Sequence, residues 1–484
     1  LEFKGVPLLP IPYISFPLSD KRKSGLLPPT MGLDKLSGIE YTQPYYWNLA
    51  PNRDMTLYPS VMSKRGVNLG AQFRYLEPTY SGEAYAAYMP GDRQRDRDRW
   101  AYSLQHRGVI SSPIGGLGLN MNLNRVSDDN YWRDFPRTMT SLTSRLLANE
   151  GVLSWSRGPW AVTAGAYRWQ TLQDVDAPII APFDRLPSFT ARFAQTDQTL
   201  AGGRGWDWSL RTEATRFSSD RAQTGNNLDG TRLLGIAAIS RTWATPAWYL
   251  TPRLQLHATQ YQTQTAMADG RRTASRVLPT FSVDSGVFFE RDTAFFGRNL
   301  VQTLEPRAFY AYTPYKNQSL LPNYDASAFD FNLATIYTEN PYGGQDRIAD
   351  DHVITLGATS RLIDPGSGHE LARFGVAQRV RLSDQNVVLP GAQPVAERLS
   401  DMLVGARLNW TPQWSFETNV QFNPKNRESV RTTLSVRHTP GDYRVISTAY
   451  RLQRGTSEQL DVGWQWPLSW GDDLPDSRDA GGGL

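Results

Sequence analysis

Charged side chains stand inside segments of this sequence that otherwise alternate like β-strands. Glu290 and Arg291 follow an apolar run, and Glu305 and Arg307 flank Pro306 in a second segment. If these strands line the water-filled lumen of a barrel, such side chains remain solvated and can pair across strands. They then cost the fold little free energy. The pattern favours equally a structural role in a wall and a contact with cargo or with a plug protein. Pro306 at the centre of its segment predicts a bulge or a bend.

The remaining reactive side chains do not form a catalytic or metal-binding pattern. No serine stands in a G-x-S-x-G setting, and no pair of carboxylates is distinguished. The histidines lie in separate segments without metal-ligand spacing, which indicates isolated lumen or loop positions. They are His106, His257, His352, His369 and His438. The sequence therefore predicts no enzyme activity, no cofactor and no metal site.

Two prolines interrupt the first two alternating segments. Ile39, Tyr41 and Tyr45 share one parity, which is the period of a strand. Pro29 lies in the first predicted strand and Pro44 in the second. Because proline cannot donate a ladder hydrogen bond, two neighbouring strands that each carry one predict a weakly paired seam. At the start of a barrel such a seam would be a door; alternatively, the prolines only terminate strands near a rim.

Short segments of alternating polarity follow one another from residue 26 to residue 468. We count about 22 of them, most close to the roughly 9–11 residues with which a tilted strand crosses a bilayer. One face of each segment would meet lipid and the other would meet water. Positions expected to face water include Arg74, Glu417 and Gln421, and those expected to face lipid include Phe73, Phe416 and Val420.

The composition supports membrane strands rather than membrane helices. Of 484 residues 40% are hydrophobic, and no stretch approaches the roughly 18 uninterrupted apolar residues that a membrane helix requires. The 15 Trp, 22 Tyr and 19 Phe suit the aromatic girdles of a barrel. A net charge of +4 demands no nucleic-acid partner, and the absence of cysteine excludes disulfides within these residues. Composition alone also allows a large soluble β-protein with an aromatic core.

The longer polar stretches are predicted extracellular loops, with short turns on the periplasmic side. They are Gly91–Arg99, Ser127–Asn149, Ser218–Gly230 and Lys316–Asp351. The charge-dense Gly91–Arg99 carries both signs, which indicates a solvated loop tip. The longest loop, between strands near Tyr310 and Val353, is expected to fold inward or over the mouth of the barrel.

Several blocks, in this order, resemble the LptD family of lipopolysaccharide-assembly outer-membrane proteins. The blocks are Asp20-x-Arg22-Lys23-Ser24-Gly25, Pro44-Tyr45-Tyr46-Trp47-Asn48-x-Ala50-Pro51-Asn52, Met62-Ser63-Lys64-Arg65-Gly66, Leu304-Glu305-Pro306-Arg307, Tyr312-x-Pro314-Tyr315-x-x-Gln318-Ser319-x-Leu321-Pro322 and Gly344-x-Asp346-Arg347-Ile348. The match is specific and spans nearly all of residues 5–468. Together with the charged strand positions it defines a set of candidate lumen or structural residues. That set is Asp20, Arg22, Arg74, Arg291, Glu305, Arg307, Asp346 and Arg347.

The resemblance implies an all-β fold, a large antiparallel transmembrane β-barrel of 26 strands preceded by a periplasmic jelly-roll. It implies that lipopolysaccharide arrives from a periplasmic bridge protein through the jelly-roll and leaves sideways between the first and last barrel strands. The plug lipoprotein LptE would fill the lumen, and lipid of the outer membrane would surround the wall. No bond is broken in such a reaction, so the resemblance implies a transporter.

The expected domain boundaries follow from composition and from the resemblance. Residues 1–18 hold four prolines and would be the end of the jelly-roll and its linker; residues 19–468 would be the barrel; residues 469–484 have loop composition. We expect the segment to be trimmed at both ends, since it lacks a signal peptide and about four of the family's strands. Family members often carry disulfides between their periplasmic domain and the end of the barrel, from which this cysteine-free chain departs.

Three other classes compete with this interpretation. A porin or siderophore-type nutrient channel shares the architecture, although a porin is smaller and the transporter would need an N-terminal plug domain. A barrel-embedded hydrolase would need a nucleophile and a base. A soluble adhesin of repeated sheets would need no detergent for extraction.

Overall fold

The computed structural model describes residues 2–3, 6–7, 22–135, 142, 144–174, 176–200, 202–219, 228–295 and 297–466. Nearly all regular structure in these residues is β-strand, and one short helix is present, α1 (Tyr131–Asp134). None of the described helical structure is long and apolar enough to cross a membrane. The expected jelly-roll tail lies mostly outside the described residues, and the C-terminal loop of residues 469–484 lies wholly outside them.

The strands of the first half of the chain are short at first and lengthen after residue 50. They are β1 (Glu2–Phe3), β2 (Val6–Pro7), β3 (Gly25–Leu26), β4 (Thr30–Asp34), β5 (Gly38–Thr42), β6 (Tyr45–Ala50), β7 (Arg53–Met62), β8 (Gly66–Leu76), β9 (Tyr80–Asp92), β10 (Arg97–Ser112), β11 (Gly115–Val126), β12 (Leu146–Arg157), β13 (Trp160–Thr171), β14 (Asp184–Leu200), β15 (Gly203–Ser218) and β16 (Gly230–Arg241).

The strands of the second half are mostly long, apart from three that span only two residues each. They are β17 (Trp243–Ala244), β18 (Trp248–Thr263), β19 (Thr273–Val287), β20 (Phe289–Phe295), β21 (Arg298–Tyr312), β22 (Ser327–Ala328), β23 (Tyr342–Gly343), β24 (His352–Ile363), β25 (Glu370–Arg381), β26 (Met402–Thr411), β27 (Trp414–Asn423), β28 (Glu428–Gly441), β29 (Arg444–Gln453) and β30 (Ser457–Gln465).

Of these segments, 26 belong to one large antiparallel sheet, and β1–β2 and β22–β23 form two separate small pairs. Four strands of the large sheet are interrupted, so that β3 with β4, β5 with β6, β16 with β17, and β19 with β20 each form one strand. Counted in this way, the described part of the chain supplies 22 strands, as the sequence pattern predicts. The predicted fold class, a large antiparallel all-β sheet, is confirmed.

The chain divides into two compact units, which are described separately below. Unit 1 comprises Leu1–Phe193, Arg211–Leu234 and Gln260–Ala274, and unit 2 comprises Ala194–Leu210, Gly235–Thr259 and Ser275–Leu484. In an antiparallel meander successive connections alternate between the two ends of the strands. Connections at one end span two to six residues, whereas all four predicted loops fall at the other end. We call these the short-turn end and the long-loop end.

Side chains divide between the two faces of the sheet as the alternation predicts. In β8 of unit 1, Val67 and Leu69 are about half exposed, while Asn68 between them is 8% exposed. Arg74 on the face of Asn68 bonds to Asp54. The face that carries Asn68 and Arg74 is therefore the inner face, onto which loop residues pack. The face that carries Leu69 is the outer one.

Candidate functional site

The first two strands of the sheet are both interrupted at proline. Residues 27–29 separate β3 from β4, and residues 43–44 separate β5 from β6, so that Pro29 and Pro44 each lie in a gap. The Leu27 N–H donates to the Pro44 carbonyl at 2.9 Å, and the Gln43 N–H donates to the Pro59 carbonyl at 3.1 Å. The Gln43 side-chain amide donates to the Leu27 carbonyl at 2.8 Å. These two gaps, which we call the proline seam, thus keep only part of a regular ladder.

Asp54, buried on the inner face of β7, joins two of the sequence-predicted residues. Arg74 Nε donates to its Oδ1 at 2.7 Å, and Arg22 Nη1 lies 3.4 Å from its Oδ2. The Tyr46 hydroxyl donates to the same Oδ2 at 3.3 Å. Asp54 therefore ties the chain entering the sheet to β6 and β8, and the sequence pattern gave no signal for it. Asp20 lies outside the described residues.

A cavity of about 450 Å³ lies against the inner face of the first strands. Pro44, Tyr58 and Met62 belong to its wall. Asp134 and Phe135 close it; they belong to the loop between β11 and β12, which we call the long loop. The cavity wall mixes hydroxyl, carboxylate and apolar groups. Space for a ligand or for strand movement therefore lies directly behind the proline seam.

The sequence pattern predicts that the charge-dense stretch Gly91–Arg99 is a solvated loop tip. This prediction is wrong in part. The side chains of Asp92 and Arg99 are completely buried, together with those of Arg65 and Asp134. Arg65 Nη1 donates to Asp92 Oδ2 at 2.6 Å, and Arg99 Nη1 donates to the same oxygen at 2.9 Å. We call these four residues the Arg–Asp cluster. A residue in a charged run is buried here because the fold supplies a counter-charge from elsewhere in the chain.

The long loop supplies that counter-charge and an aromatic cover. Asp134, in α1, accepts hydrogen bonds from Arg95 Nε at 2.9 Å and from Arg99 Nη1 at 3.1 Å. The Phe135 ring lies 5.4 Å from the Arg65 guanidinium and 5.0 Å from that of Arg99, distances at which cation–π attraction acts. Although burial acts to raise the pKa of Asp134, its hydrogen bond from Arg95 and the charge of Arg65 lower it overall.

Residues 313–351 of unit 2, which we call the inner loop, fold onto the inner face as predicted. Ile336 is fully buried against Ala377 and Leu403 of the sheet. The Tyr337 ring lies 4.1 Å from the Arg307 guanidinium. Arg379 donates to the Ile336 carbonyl, so apolar, cationic and hydrogen-bonding contacts all hold this loop.

Asp346 and Arg347, from a family block, hold the inner loop together from within. Both are buried, and Asp346 Oδ2 accepts the backbone N–H groups of Tyr324 at 2.6 Å and Asp325 at 3.0 Å. Arg347 donates to the carbonyls of Leu321 at 2.9 Å and Pro322 at 3.0 Å. Their role in the structure is to satisfy backbone groups that a buried loop would otherwise leave unpaired.

Glu305 and Arg307 lie on the inner face of β21 and form ion pairs across strands. Arg307 makes a two-pronged contact with Asp284 at 2.9 and 2.6 Å, and Glu305 accepts a hydrogen bond from Arg361 at 3.0 Å. Of the bulge or bend predicted at Pro306, the bulge is wrong for β21 itself, because its register with β24 continues through that residue. The interruption falls instead in the neighbouring strand, between β19 and β20, opposite the residue that lacks an N–H.

The other predicted residues do not join these groups. Arg291, near the short-turn end, is exposed and donates to Gln302 Oε1. The histidines remain separate, but His352 contacts Tyr310 and Tyr312, and His438 stacks on Trp414. Among the residues that the structure describes, no group of histidines and carboxylates could hold a metal ion.

Asp351, at the end of the inner loop, is 1% exposed, and its Oδ2 has no hydrogen-bond partner among the described residues. Burial raises the pKa of Asp351 to about 6, with Asp350 acting in the same direction and Arg379 and Arg381 opposing it. Because the folded state holds the proton more tightly than the unfolded chain, loop stability falls as pH rises from about 4 to about 6.

We therefore expect Asp351→Asn to remove this pH dependence and to stabilise the inner loop at pH 7, on the order of 1–2 kcal/mol. Hydrogen exchange of residues 318–351 at pH 5 and pH 7 measures the effect. Asp330→Asn, in the same loop but with an 80% exposed side chain, is the matched control. Equal pH dependence in Asp351→Asn and in the unmodified chain would contradict the expectation.

A large antiparallel sheet with an apolar outer face and a polar inner face covered by loops defines an outer-membrane β-barrel protein. A family model described as LPS transport system D matches residues 97–469. LPS-assembly proteins LptD from Acidovorax sp. strain JS42, Polaromonas sp. strain JS666 and Paracidovorax citrulli are 57%, 56% and 58% identical over the whole chain. The chain belongs to the LptD family and to the outer membrane.

The chain spans 60% of the length of these relatives. Among solved structures, the anion-selective porin from Comamonas acidovorans is similar over 80% of this chain and 99% of the porin, at 12% identity and a TM-score of 0.27. The family is thus defined by sequence relatives along the entire chain.

Proposed function

We propose that this chain is the barrel region of an outer-membrane translocon that inserts lipopolysaccharide into the outer leaflet. The lipid would leave sideways through a gate between the first and last barrel strands. The relatives carry the name LPS-assembly protein LptD. The observation that supports a gate here is the proline seam, in which each of the first two strands is interrupted at a proline.

The physical basis of the gate is the cost of parting two strands in lipid. Each backbone group left without a partner in hydrocarbon costs several kcal/mol, so a seam of fully paired strands would stay shut. Pro29 and Pro44 have no N–H, which removes two donors before the seam opens. The Gln43 side chain, which already bonds to the Leu27 carbonyl, offers a partner that can move with the backbone.

The inner face has the polarity that a saccharide would need. Arg307, Arg361, Arg373 and Arg407 line a cavity of about 560 Å³ in unit 2 together with Tyr249 and Tyr337. Guanidinium groups suit phosphorylated sugars, and aromatic faces suit sugar rings. The acyl chains would remain in the membrane while the saccharide crosses this polar interior.

The partners follow from the same proposal. The chain would receive lipopolysaccharide from a periplasmic bridge protein through a jelly-roll domain and would surround the plug lipoprotein LptE. The described inner face is covered by its own loops at the Arg–Asp cluster and at the inner loop. No bond is made or broken, so the activity is transport and not catalysis.

Replacing both Pro29 and Pro44 with alanine in the full-length protein tests the gate. Up to two ladder bonds would form, each contributing about 0.5–1.5 kcal/mol. The variant should fold and insert normally but deliver less lipopolysaccharide to the cell surface, leaving cells more permeable to large hydrophobic antibiotics. Surface lipopolysaccharide and antibiotic sensitivity are measured together.

The matched control is Pro252→Ala with Pro279→Ala, because β18 and β19 also carry one proline each and neither strand is interrupted at its proline. This control should leave delivery unchanged. Normal surface lipopolysaccharide in the Pro29 and Pro44 variant would mean that these prolines only terminate strands. Failure of that variant to insert would assign them to folding.

A further inference from the structure

The outer face of unit 2 carries a groove of about 660 Å³ whose lining is mostly apolar. Trp208 and Leu210 of β15 form one side, Leu254 and Leu256 of β18 form the other, and Ala237 of β16 forms the floor. All four flanking side chains are between 39% and 51% exposed. A small residue between two rows of large ones leaves a channel along the strand, in the size range of pockets that hold a small molecule.

Arg241 lies on the same face of β16, two residues beyond Ile239 of the groove. Alternate residues of a strand point to the same face and stand about 7 Å apart. The Arg241 guanidinium is held 5.4 Å from the Trp206 ring and 5.1 Å from the Trp243 ring. An arginine between two tryptophans at the end of an apolar groove has the position of an interfacial anchor.

Among the described residues, the Arg241 guanidinium has one hydrogen-bond acceptor. Its Nη2 donates to the Gly202 carbonyl at 2.6 Å, and its Nε has no hydrogen-bond partner in the part of the chain that the structure describes. Among the residues that the structure describes, no carboxylate pairs with it. Arg204, at the start of β15, does have such a partner in Asp197 of β14. An unpaired guanidinium beside lipid requires an anion from another molecule.

We propose that this groove and Arg241 form a binding site for one membrane glycerophospholipid. An acyl chain lies in the groove over Ala237, and the phosphate accepts hydrogen bonds from Arg241 at the short-turn end. A glycerophospholipid meets both requirements, because it joins apolar chains to one phosphate across an interfacial distance. The site is separate from the proline seam, so it does not depend on the proposed gate.

Native mass spectrometry of the full-length protein, purified in detergent and titrated with palmitoyl-oleoyl phosphatidylglycerol, tests the site. Arg241→Gln should weaken the tightest lipid site about tenfold, the effect of losing a charge-assisted hydrogen bond. Arg241→Lys should restore part of the affinity. Ala237→Phe, which fills the floor of the groove, should abolish saturable binding. Diacylglycerol, which lacks the phosphate, should bind equally to the unmodified chain and to Arg241→Gln.

Two control variants separate this site from general lipid contact. Arg204→Gln removes an arginine that is already paired, and Ala71→Phe enlarges an outer-face alanine of unit 1. Both should bind phosphatidylglycerol as the unmodified chain does. Equal affinity in the unmodified chain, Arg241→Gln and Ala237→Phe would overturn the proposal. Loss in Ala237→Phe alone would overturn it as well, because the phosphate would then not be recognised.

Discussion

Replacing Asp134 with alanine is expected to destabilise the packing of the long loop in unit 1 by about 3–5 kcal/mol. The carboxylate is completely buried and accepts hydrogen bonds from Arg95 and Arg99, with Arg65 Nη2 at 3.3 Å. Without it, Arg65 keeps Asp92, Arg99 keeps Asp92 and Asp128, and Arg95 loses its ion pair. Removing one member of a buried charge network is costly, because buried guanidinium groups lose hydrogen bonds that water cannot easily replace.

The same substitution should also release α1 from the inner face. Tyr131 and Phe135 pack into the core that includes Met89 and Leu147, and they cover the arginines that Asp134 neutralises. Once those arginines attract water, the aromatic cover loses its contacts. Hydrogen exchange and limited proteolysis of residues 127–135 measure the release, with heat-modifiable migration as the check that the sheet itself remains folded.

Arg53→Ala is the matched control in unit 1, because the side chain of Arg53 is 49% exposed and that of its partner Glu77 is 20% exposed. An exposed pair contributes about 0–1 kcal/mol, so this variant should exchange nearly as the unmodified chain does. A second variant, Asp134→Asn, keeps the size and removes the charge. If Asp134→Asn and Asp134→Ala both leave the exchange of residues 127–135 unchanged, the Arg–Asp cluster does not hold the loop.

The sequence predicts the sheet well because the pattern that specifies a strand lies within a few neighbouring residues. A strand buries one face and exposes the other, so period-two alternation in β8 and β27 is visible in any short window. The prolines of the proline seam are equally local, since a missing N–H breaks a ladder wherever the residue lies. Strand number, loop placement and the positions of Pro29 and Pro44 therefore follow from the chain alone.

The buried Arg–Asp cluster could not be predicted because its partners are distant in sequence. Asp92 and Arg99 belong to a run that looks solvated, yet Arg65 and Asp134 reach them from 27 and 35 positions away. Burial depends on the aromatic cover supplied by Phe135, which no local pattern connects to that run. Likewise, the family block around Asp346 marks a site, but the hydrogen bonds to Tyr324 and Asp325 emerge only from the folded loop.

The inner loop depends on one backbone turn, and Gly344→Ala is expected to open it at a cost of about 3 kcal/mol or more. Gly344 has φ +71°, and an added Cβ would lie 2.3 Å from the Asp325 carbonyl oxygen. This carbonyl belongs to the backbone of Asp325, which cannot move aside as a flexible side chain can. The turn also positions Gln345, whose N–H donates to Asp325 Oδ1 and whose carbonyl accepts from Arg276.

Gly391→Ala separates the steric contact with Asp325 from the strain that a positive φ imposes on alanine. Gly391 has φ +83° but nothing within 4 Å of its added Cβ, so it bears only the backbone strain of about 1–2 kcal/mol. Hydrogen exchange of residues 318–351 should accelerate about 100-fold in Gly344→Ala, whereas exchange of residues 382–401, the loop that contains Gly391, should accelerate only about tenfold in Gly391→Ala. Since Ile336 and Tyr337 cover Ala377 and Arg307, opening the loop exposes this part of the inner face. Equal exchange in the two variants would mean that the contact with Asp325 does not hold the inner loop closed.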